Sequence, residues 1–228
     1  MASEDHDSAE IDHLHLFNKK IQWKHSQEGA VGRFKLRGLE SVFNELLSLS
    51  NEANHEELTR IFNSFVGATY GDAFMSWLHE LFNDKGLLII DGDNKELKTL
   101  FNPIIKKELS HSFSHKSVLL TNKRLQVKER KIQVHSREIN LFSLRENERY
   151  RIIKNQNSFE IGSQTYSLDE LLKMVNESPE QFSPNAILRP LYQECILPNI
   201  CYVGGIAEMN YWAQLKGVFE ECDIPYPL

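Results

Sequence analysis

Long apolar runs are absent: the most continuous, Leu87-Leu88-Ile89-Ile90, falls far short of the roughly 20 residues of a membrane-spanning helix. No membrane partner is expected. Cysteine is scarce, with only Cys195, Cys201 and Cys222, an odd set without a Cys-x-x-Cys pair, which excludes a disulfide framework and fits a reducing compartment. The three read as small buried apolar residues. Basic charge is not in surplus: 26 Lys and Arg face 32 Asp and Glu, a formal charge of -6. A dedicated nucleic-acid binder is therefore not expected, despite the locally basic stretch from Lys116 to Arg137. The segment Met1 to Asp7 has neither the basic nor the apolar region of a secretory signal, so the expected location is cytoplasmic.

What is present suffices for a core, since 41% of the residues are hydrophobic and 10% aromatic. Apolar residues at helical spacing predict helices over 38–53, 56–66 and 72–82. Gly86 to Ile90 then reads as a buried strand, Asp91-Gly92-Asp93 as its turn, and a helix resumes at Leu97. A further helix is expected over 114–130, followed by a small antiparallel meander over 139–144, 150–153 and 159–161. Ser167 and Glu170 form a capping box for a helix running to about Val175. The last stretch predicts a helix over 184–196, a buried strand over 199–203, a Gly204-Gly205 turn and a helix over 208–221. Two strand-turn-helix units imply an α/β fold with parallel strands, the meander being an insertion.

In such folds ligands bind beyond the C-terminal strand ends. The segment from Glu4 to His15 is the densest in functional groups, with Glu4, Asp5, His6, Asp7, Glu10, Asp12, His13 and His15. If helical, it places His6, Glu10 and His13 on one face able to hold a metal; if it becomes a strand after Asp12, His13 and His15 share a face instead. The first arrangement would suit a metal-dependent hydrolase, although no HExxH spacing is present. The alternative is an exposed acidic segment with incidental histidines. Asp91 and Asp93 could bind a hydroxyl or an ammonium group, or form a plain turn with Asp93 or Asn94 capping the next helix. Gly204 and Gly205 either allow close backbone approach to an anion or satisfy the turn. Arg189, near Asn185, Tyr192 and Gln193, could clamp a carboxylate or phosphate, or form a structural ion pair. His135, Arg137, Glu138 and Asn140 pose a similar choice between a substrate-facing rim and an insertion that merely packs.

Several of these segments together resemble the bacillithiol biosynthesis cysteine-adding enzymes, the cysteine ligases called BshC. The resemblance is carried by Ser3-Glu4-Asp5-His6-Asp7, by Leu88-Ile89-Ile90-Asp91-Gly92-Asp93 with Glu96-Leu97, and by Gln133-Val134-His135 with Arg137 to Phe142. It is strongest in Ser183-Pro184-Asn185, Leu188 to Gln193, Leu197 to Ile200 and Tyr202-Val203-Gly204-Gly205. It implies a Rossmann-like core related to the class I aminoacyl-tRNA synthetases and nucleotidyltransferases, with helical and small antiparallel β insertions. Residues 1–37 would be the edge of that core with the strand-tip motif, 38–182 a core strand with its insertions, and 183–228 the closing strand-turn-helix.

The resemblance also implies the reaction, addition of L-cysteine to glucosaminyl-malate, with ATP activating the cysteine carboxylate. No resident metal is expected, Mg2+ entering only with the nucleotide. Glu4, Asp5, His6 and Asp7 would be the catalytic strand-tip groups, His6 contacting a reacting or phosphoryl oxygen. Asp91, Asp93, Asn185, Arg189 and Gln193 would bind substrate, Arg189 taking the malyl carboxylates, while Tyr202, Gly204, Gly205 and Glu208 would hold the nucleotide. Full-length members are homodimers, and the chain is expected to be an internal piece without the upstream Gly-Gln-Gln loop or the C-terminal dimerisation region. Such a piece is expected to be weakly active alone, or to be a non-catalytic segment folding against partner segments.

Overall fold

The computed structural model describes residues 11–127, 132–145 and 148–228, and its chain forms two compact units, residues 1–93 with 146–149 and residues 94–145 with 150–228. The division falls after Asp93.

In the first unit, strands β1 (His13–Leu16) and β2 (Lys19–Gln22) pair antiparallel, Leu16 opposite Lys19. Phe17 and Asn18, both at positive φ, make the two-residue turn whose twist suits a hairpin. Three helices follow, α1 (Leu39–Leu49), α2 (His55–Asn63) and α3 (Tyr70–Phe82), each close to its predicted span. Thr69 and Asp72 cap α3 reciprocally, satisfying N–H groups that the helix itself leaves unpaired. The core gathers Ile21, Trp23, Val31, Phe34, Leu39 and Val42, with the Trp23 and Tyr70 rings stacked at 5.9 Å.

The second unit contains α4 (Lys95–His111), α5 (Phe113–Val127), β3 (Leu141–Arg145), β4 (Glu148–Asn155) from Tyr150 onward, β5 (Ser158–Ile161), β6 (Gln164–Tyr166) and α6 (Leu168–Glu177). After these come β7 (Phe182–Pro184), α7 (Arg189–Ile196), α8 (Ile206–Trp212) and α9 (Lys216–Glu220). The sheet order is β6-β5-β4-β3-β7. In β5, Phe159 and Ile161 are buried and alternate with exposed Glu160, the period of a half-buried strand. Helices α4, α6 and α7 contribute Phe101, Ile105, Leu171, Val175 and Leu191 to the same core as the sheet. The capping box at Ser167 and Glu170 forms as predicted.

Among the described residues the expected parallel strands have no ladder. Leu87 to Ile90 carries no ladder, and Leu87 and Leu88 are exposed. Residues 199–203 likewise carry no ladder: their described backbone-to-backbone bonds are Tyr202 N–H donating to Leu228 O at 3.0 Å and Leu228 N–H donating to Ile200 O at 3.1 Å. Ile200 and Val203 are 87% and 93% exposed. An apolar run is only half of a strand's specification; the other half is a neighbouring backbone, and none among the described residues supplies a ladder here. The pairings β1–β2, β3–β7, β4–β5 and β5–β6 are all antiparallel. No helix among the described residues is long and apolar enough to cross a membrane.

Candidate functional site

The second unit brings three predicted residues from two segments into one cluster. Arg189 opens α7, where Pro190 suits the first turn because that position has no intrahelical acceptor for its missing N–H. Its position is set by Asn185, whose Oδ1 accepts from Ile187 N–H at 2.9 Å and whose carbonyl accepts from Arg189 N–H at 2.8 Å. Asn185 is itself held by buried Asn140: Asn185 N–H donates to Asn140 O at 3.1 Å, and Asn185 Nδ2 donates to Asn140 Oδ1 at 2.9 Å. Asn140 in turn donates to Glu108 Oε1, from its backbone at 2.9 Å and from Nδ2 at 3.3 Å. Glu108 also accepts from Ser114 N–H at 3.1 Å and Ser114 Oγ at 2.7 Å, capping the start of α5. Burial pushes the Glu108 carboxyl above its ordinary value, against the opposing pull of these donors. Asn140 thus belongs to the packing alternative rather than to an open rim.

A cation at a helix N-terminus is electrostatically disfavoured, and Arg189 finds its counter-charge elsewhere. Its Nη2 donates to Glu208 Oε1 at 3.0 Å and to Tyr211 Oη at 3.0 Å. Tyr211 Oη also donates to Glu208 Oε1 at 3.3 Å. Tyr202 adjoins Glu208 and Arg189, and its ring stacks on Trp212 at 4.1 Å between centroids. Tyr202's hydrogen bond, aided by the Arg189 charge, holds the Glu208 carboxyl below its ordinary value against the cost of burial. Burial, then the neighbouring carboxylate, pushes the Tyr202 phenol up to about 12. Arg189 and Glu208 each keep 35% of their side-chain surface exposed, so the pair is reachable from solvent.

The adjoining glycines differ. A Cβ on Gly204 would lie 2.7 Å from Tyr202 Cε1 and 3.4 Å from Glu208 Cβ, so a side chain there would push Tyr202 against Trp212. At Gly205 a Cβ would meet nothing within 4 Å, and no internal contact requires glycine. Gln193 does not join the cluster through the bonds described; its Nε2 donates to Glu194 Oε1 at 3.2 Å. Glu194 is buried and accepts from Asn199 N–H at 2.7 Å and Asn199 Nδ2 at 2.8 Å, clamping the turn after α7.

Asp91 and Asp93 lie in the first unit. Asp91 Oδ1 accepts from Asp93 N–H at 2.9 Å, while Arg33 grips Asp93 with two bonds, Nε to Oδ2 at 2.5 Å and Nη2 to Oδ1 at 2.8 Å. Asn94, not Asp93, caps the next helix, accepting from Glu96 and Leu97 N–H. Glu4, Asp5, His6, Asp7 and Glu10 lie outside the described residues. His13 is in β1, so the helical register with His6 and Glu10 does not extend through it. Instead His13 and His15 share a strand face with rings 5.2 Å apart, and His13 Nδ1 is hydrogen-bonded to Asp12 at 2.7 Å. Among the described residues no group of three or more His, Cys, Asp or Glu could hold a metal.

Sequence reasoning missed Tyr211, Trp212, Arg33 and Glu108. Tyr211 was accessible, since it lies three residues after Glu208 on one helix face; Arg33 meets Asp93 from 60 residues away and leaves no local signal.

Residues 1–228 match the family model described as "Bacillithiol biosynthesis BshC, N-terminal Rossmann-like domain". Among similar proteins, one from Flavobacterium psychrophilum is 41% identical, the alignment covering 100% of this chain and 44% of that protein. One from Cytophaga hutchinsonii is 41% identical over 96% of this chain and 41% of its own length. One from Staphylococcus haemolyticus is 29% identical over 100% of this chain and 46% of its own length. All three carry the name "Putative cysteine ligase BshC", and the chain spans less than half the length of each.

Proposed function

We propose, from the premise that the chain belongs to the BshC family of bacillithiol biosynthesis through its N-terminal Rossmann-like domain, that it provides a substrate-carboxylate site of a ligase joining L-cysteine to glucosaminyl-malate. The observation that carries this reading is the Arg189 guanidinium, its backbone fixed by Asn185 and its side chain about one-third exposed beside Tyr202, Tyr211 and Glu208. A planar guanidinium with neighbouring hydroxyls suits carboxylate recognition better than an ammonium group, because its N–H groups match two oxygens at once.

In this reading the cysteine carboxyl and the glucosamine amine form an amide bond. ATP, accompanied by Mg2+, supplies the carboxylate activation when bound. The chain's residues bind and orient: Arg189 takes a malyl carboxylate, Tyr202 and Tyr211 hydrogen-bond around it, and the Asn140–Asn185 contact fixes the height of α7 beneath it. For a nucleotide, the open backbone at Gly205 fits close approach, whereas Glu208, an anion engaged by Arg189, does not fit as a direct phosphate partner. Homodimerisation of the full-length protein belongs to the same proposal.

The test is ATP-dependent formation of bacillithiol from L-cysteine and glucosaminyl-malate, by the chain alone and combined with the remaining portions of a BshC relative. Product from the wild-type chain in at least one arrangement, with R189Q raising KM for glucosaminyl-malate at least tenfold, is expected. Absence of product from folded, assembled chains in both arrangements would overturn the reading.

A further inference from the structure

The Arg189 cluster contains its own carboxylate, and the way it is held differs from a permanent ion pair. Arg189 meets Glu208 through one nitrogen and one oxygen, and the same nitrogen is shared with Tyr211. A structural arginine pair is typically bidentate. Both side chains retain substantial solvent exposure, so neither needs to be dragged out of a core to separate. Glu208 sits on α8, a seven-residue helix beginning at Ile206. The residues leading into it, Val203, Gly204 and Gly205, form no ladder, and Val203 and Ile206 project into solvent. Trp212 is the natural reporter, because it follows Tyr211, whose hydroxyl donates to Glu208 Oε1, and its ring stacks on Tyr202.

We infer that Glu208 is a displaceable stand-in for the substrate carboxylate, occupying Arg189 in the resting chain and yielding it to an incoming dicarboxylate. This rests on the carboxylate reading of Arg189 given above. The resting contact keeps the cation from being left uncompensated at the N-terminus of α7 and selects for ligands able to outcompete it. A monocarboxylate replaces one anion by another with little gain, whereas a dicarboxylate adds a second charged oxygen pair for the tyrosine hydroxyls. Binding then reflects the fraction of chains in which Glu208 has let go.

The experiment titrates L-malate into the full chain carrying 5-fluorotryptophan, so that fluorine NMR reports the three tryptophans separately, with W212F assigning the Trp212 signal. Wild-type chain is expected to bind malate with a shift of the Trp212 resonance, as the neighbouring Tyr211 loses its Glu208 partner. E208Q, with its fold checked by circular dichroism, is expected to lower the malate Kd by roughly fivefold, the release expected of a solvent-accessible pair. Malate binding that leaves Trp212 unmoved, or an E208Q chain that binds no more tightly, overturns the displacement. The wild-type Trp212 response tests it even if E208Q does not fold. R189Q separates the two levels: malate affinity unchanged in R189Q sinks the carboxylate reading itself, whereas affinity lost in R189Q but unimproved in E208Q sinks only the displacement. No binding by either wild-type or E208Q sinks both.

Discussion

The two units each contain an arginine paired with a carboxylate, and the pairs are built differently. Arg33 closes on Asp93 through two nitrogens and two oxygens, and Asp93 keeps only 10% of its side-chain surface exposed. Arg189 reaches Glu208 through a single nitrogen, shares it with a tyrosine hydroxyl, and leaves the carboxylate much more open. The first geometry sets the fork of the guanidinium against both oxygens of one carboxylate. The second leaves recognition capacity for something else. Residue types alone make the two pairs look equivalent; denticity and burial distinguish them.

The largest effect should come from breaking the second pair where it matters for ligand. R189Q is expected to weaken malate binding by at least tenfold while moving the unfolding midpoint little, as read by titration alongside thermal melting. The converse defines the first pair: R33Q should cost about 2 kcal/mol of stability by urea unfolding, because Asp93 would lose charge-assisted bonds at a nearly buried position. Its malate affinity should stay at the wild-type value. A stability loss in R189Q matching that of R33Q would erase the distinction.

A smaller effect sharpens the comparison at the glycines. G204A should destabilise the second unit by about 1–2 kcal/mol through the crowding of Tyr202 against Trp212, whereas G205A, entering open space, should change stability by less than about 0.5 kcal/mol. Near-equal losses would contradict the packing described at Gly204.

The smallest is a pH effect at a third carboxylate, Glu108, which hydrogen-bonds to Ser114 and Asn140. Its folded-state value is raised above the ordinary 4.5, chiefly by burial. The folded chain therefore takes up this proton at a higher pH than the unfolded chain does. Its contribution is fully present below the unfolded value and is lost as pH rises through the raised folded value, with a slope of at most about 1.4 kcal/mol per pH unit. The lowered carboxyls of Asp12, Glu57, Glu170 and Glu208 act the other way, losing stability as pH falls through their folded values, below their ordinary range. As pH falls from 7, urea midpoints should thus change more favourably in wild type than in E108Q, the difference between the two chains being the contribution of Glu108.

Legibility in the sequence followed the range of the forces involved. Helices α1 to α6 and the Ser167–Glu170 box were readable because their determinants lie within a few residues of each other. The start of α7 was placed too early, at Pro184, because Phe182 to Pro184 is captured by β3, more than 35 residues away, in antiparallel register. Leu87 to Ile90 and Asn199 to Val203 looked like strands because apolar content is local, whereas the ladder that makes a strand is not. At the site, Arg189, Tyr202, Gly204 and Glu208 were named from sequence and meet in space. Asn185 was also named, and its amide is committed to Asn140 and to the entry into α7. Asp93 was named without Arg33, whose selection depends entirely on tertiary structure.

The cluster also has a hereditary consequence. Tyr202, Gly204, Glu208, Tyr211 and Trp212 lie within one short stretch of chain, and Glu208 and Tyr211 both meet Arg189 from outside it. Such a stretch is passed on and altered nearly as a unit. Among diverging descendants, a change at 208 should be tolerated chiefly together with one at 189 or 211, and a bulkier residue at 204 only where 202 has lost its ring.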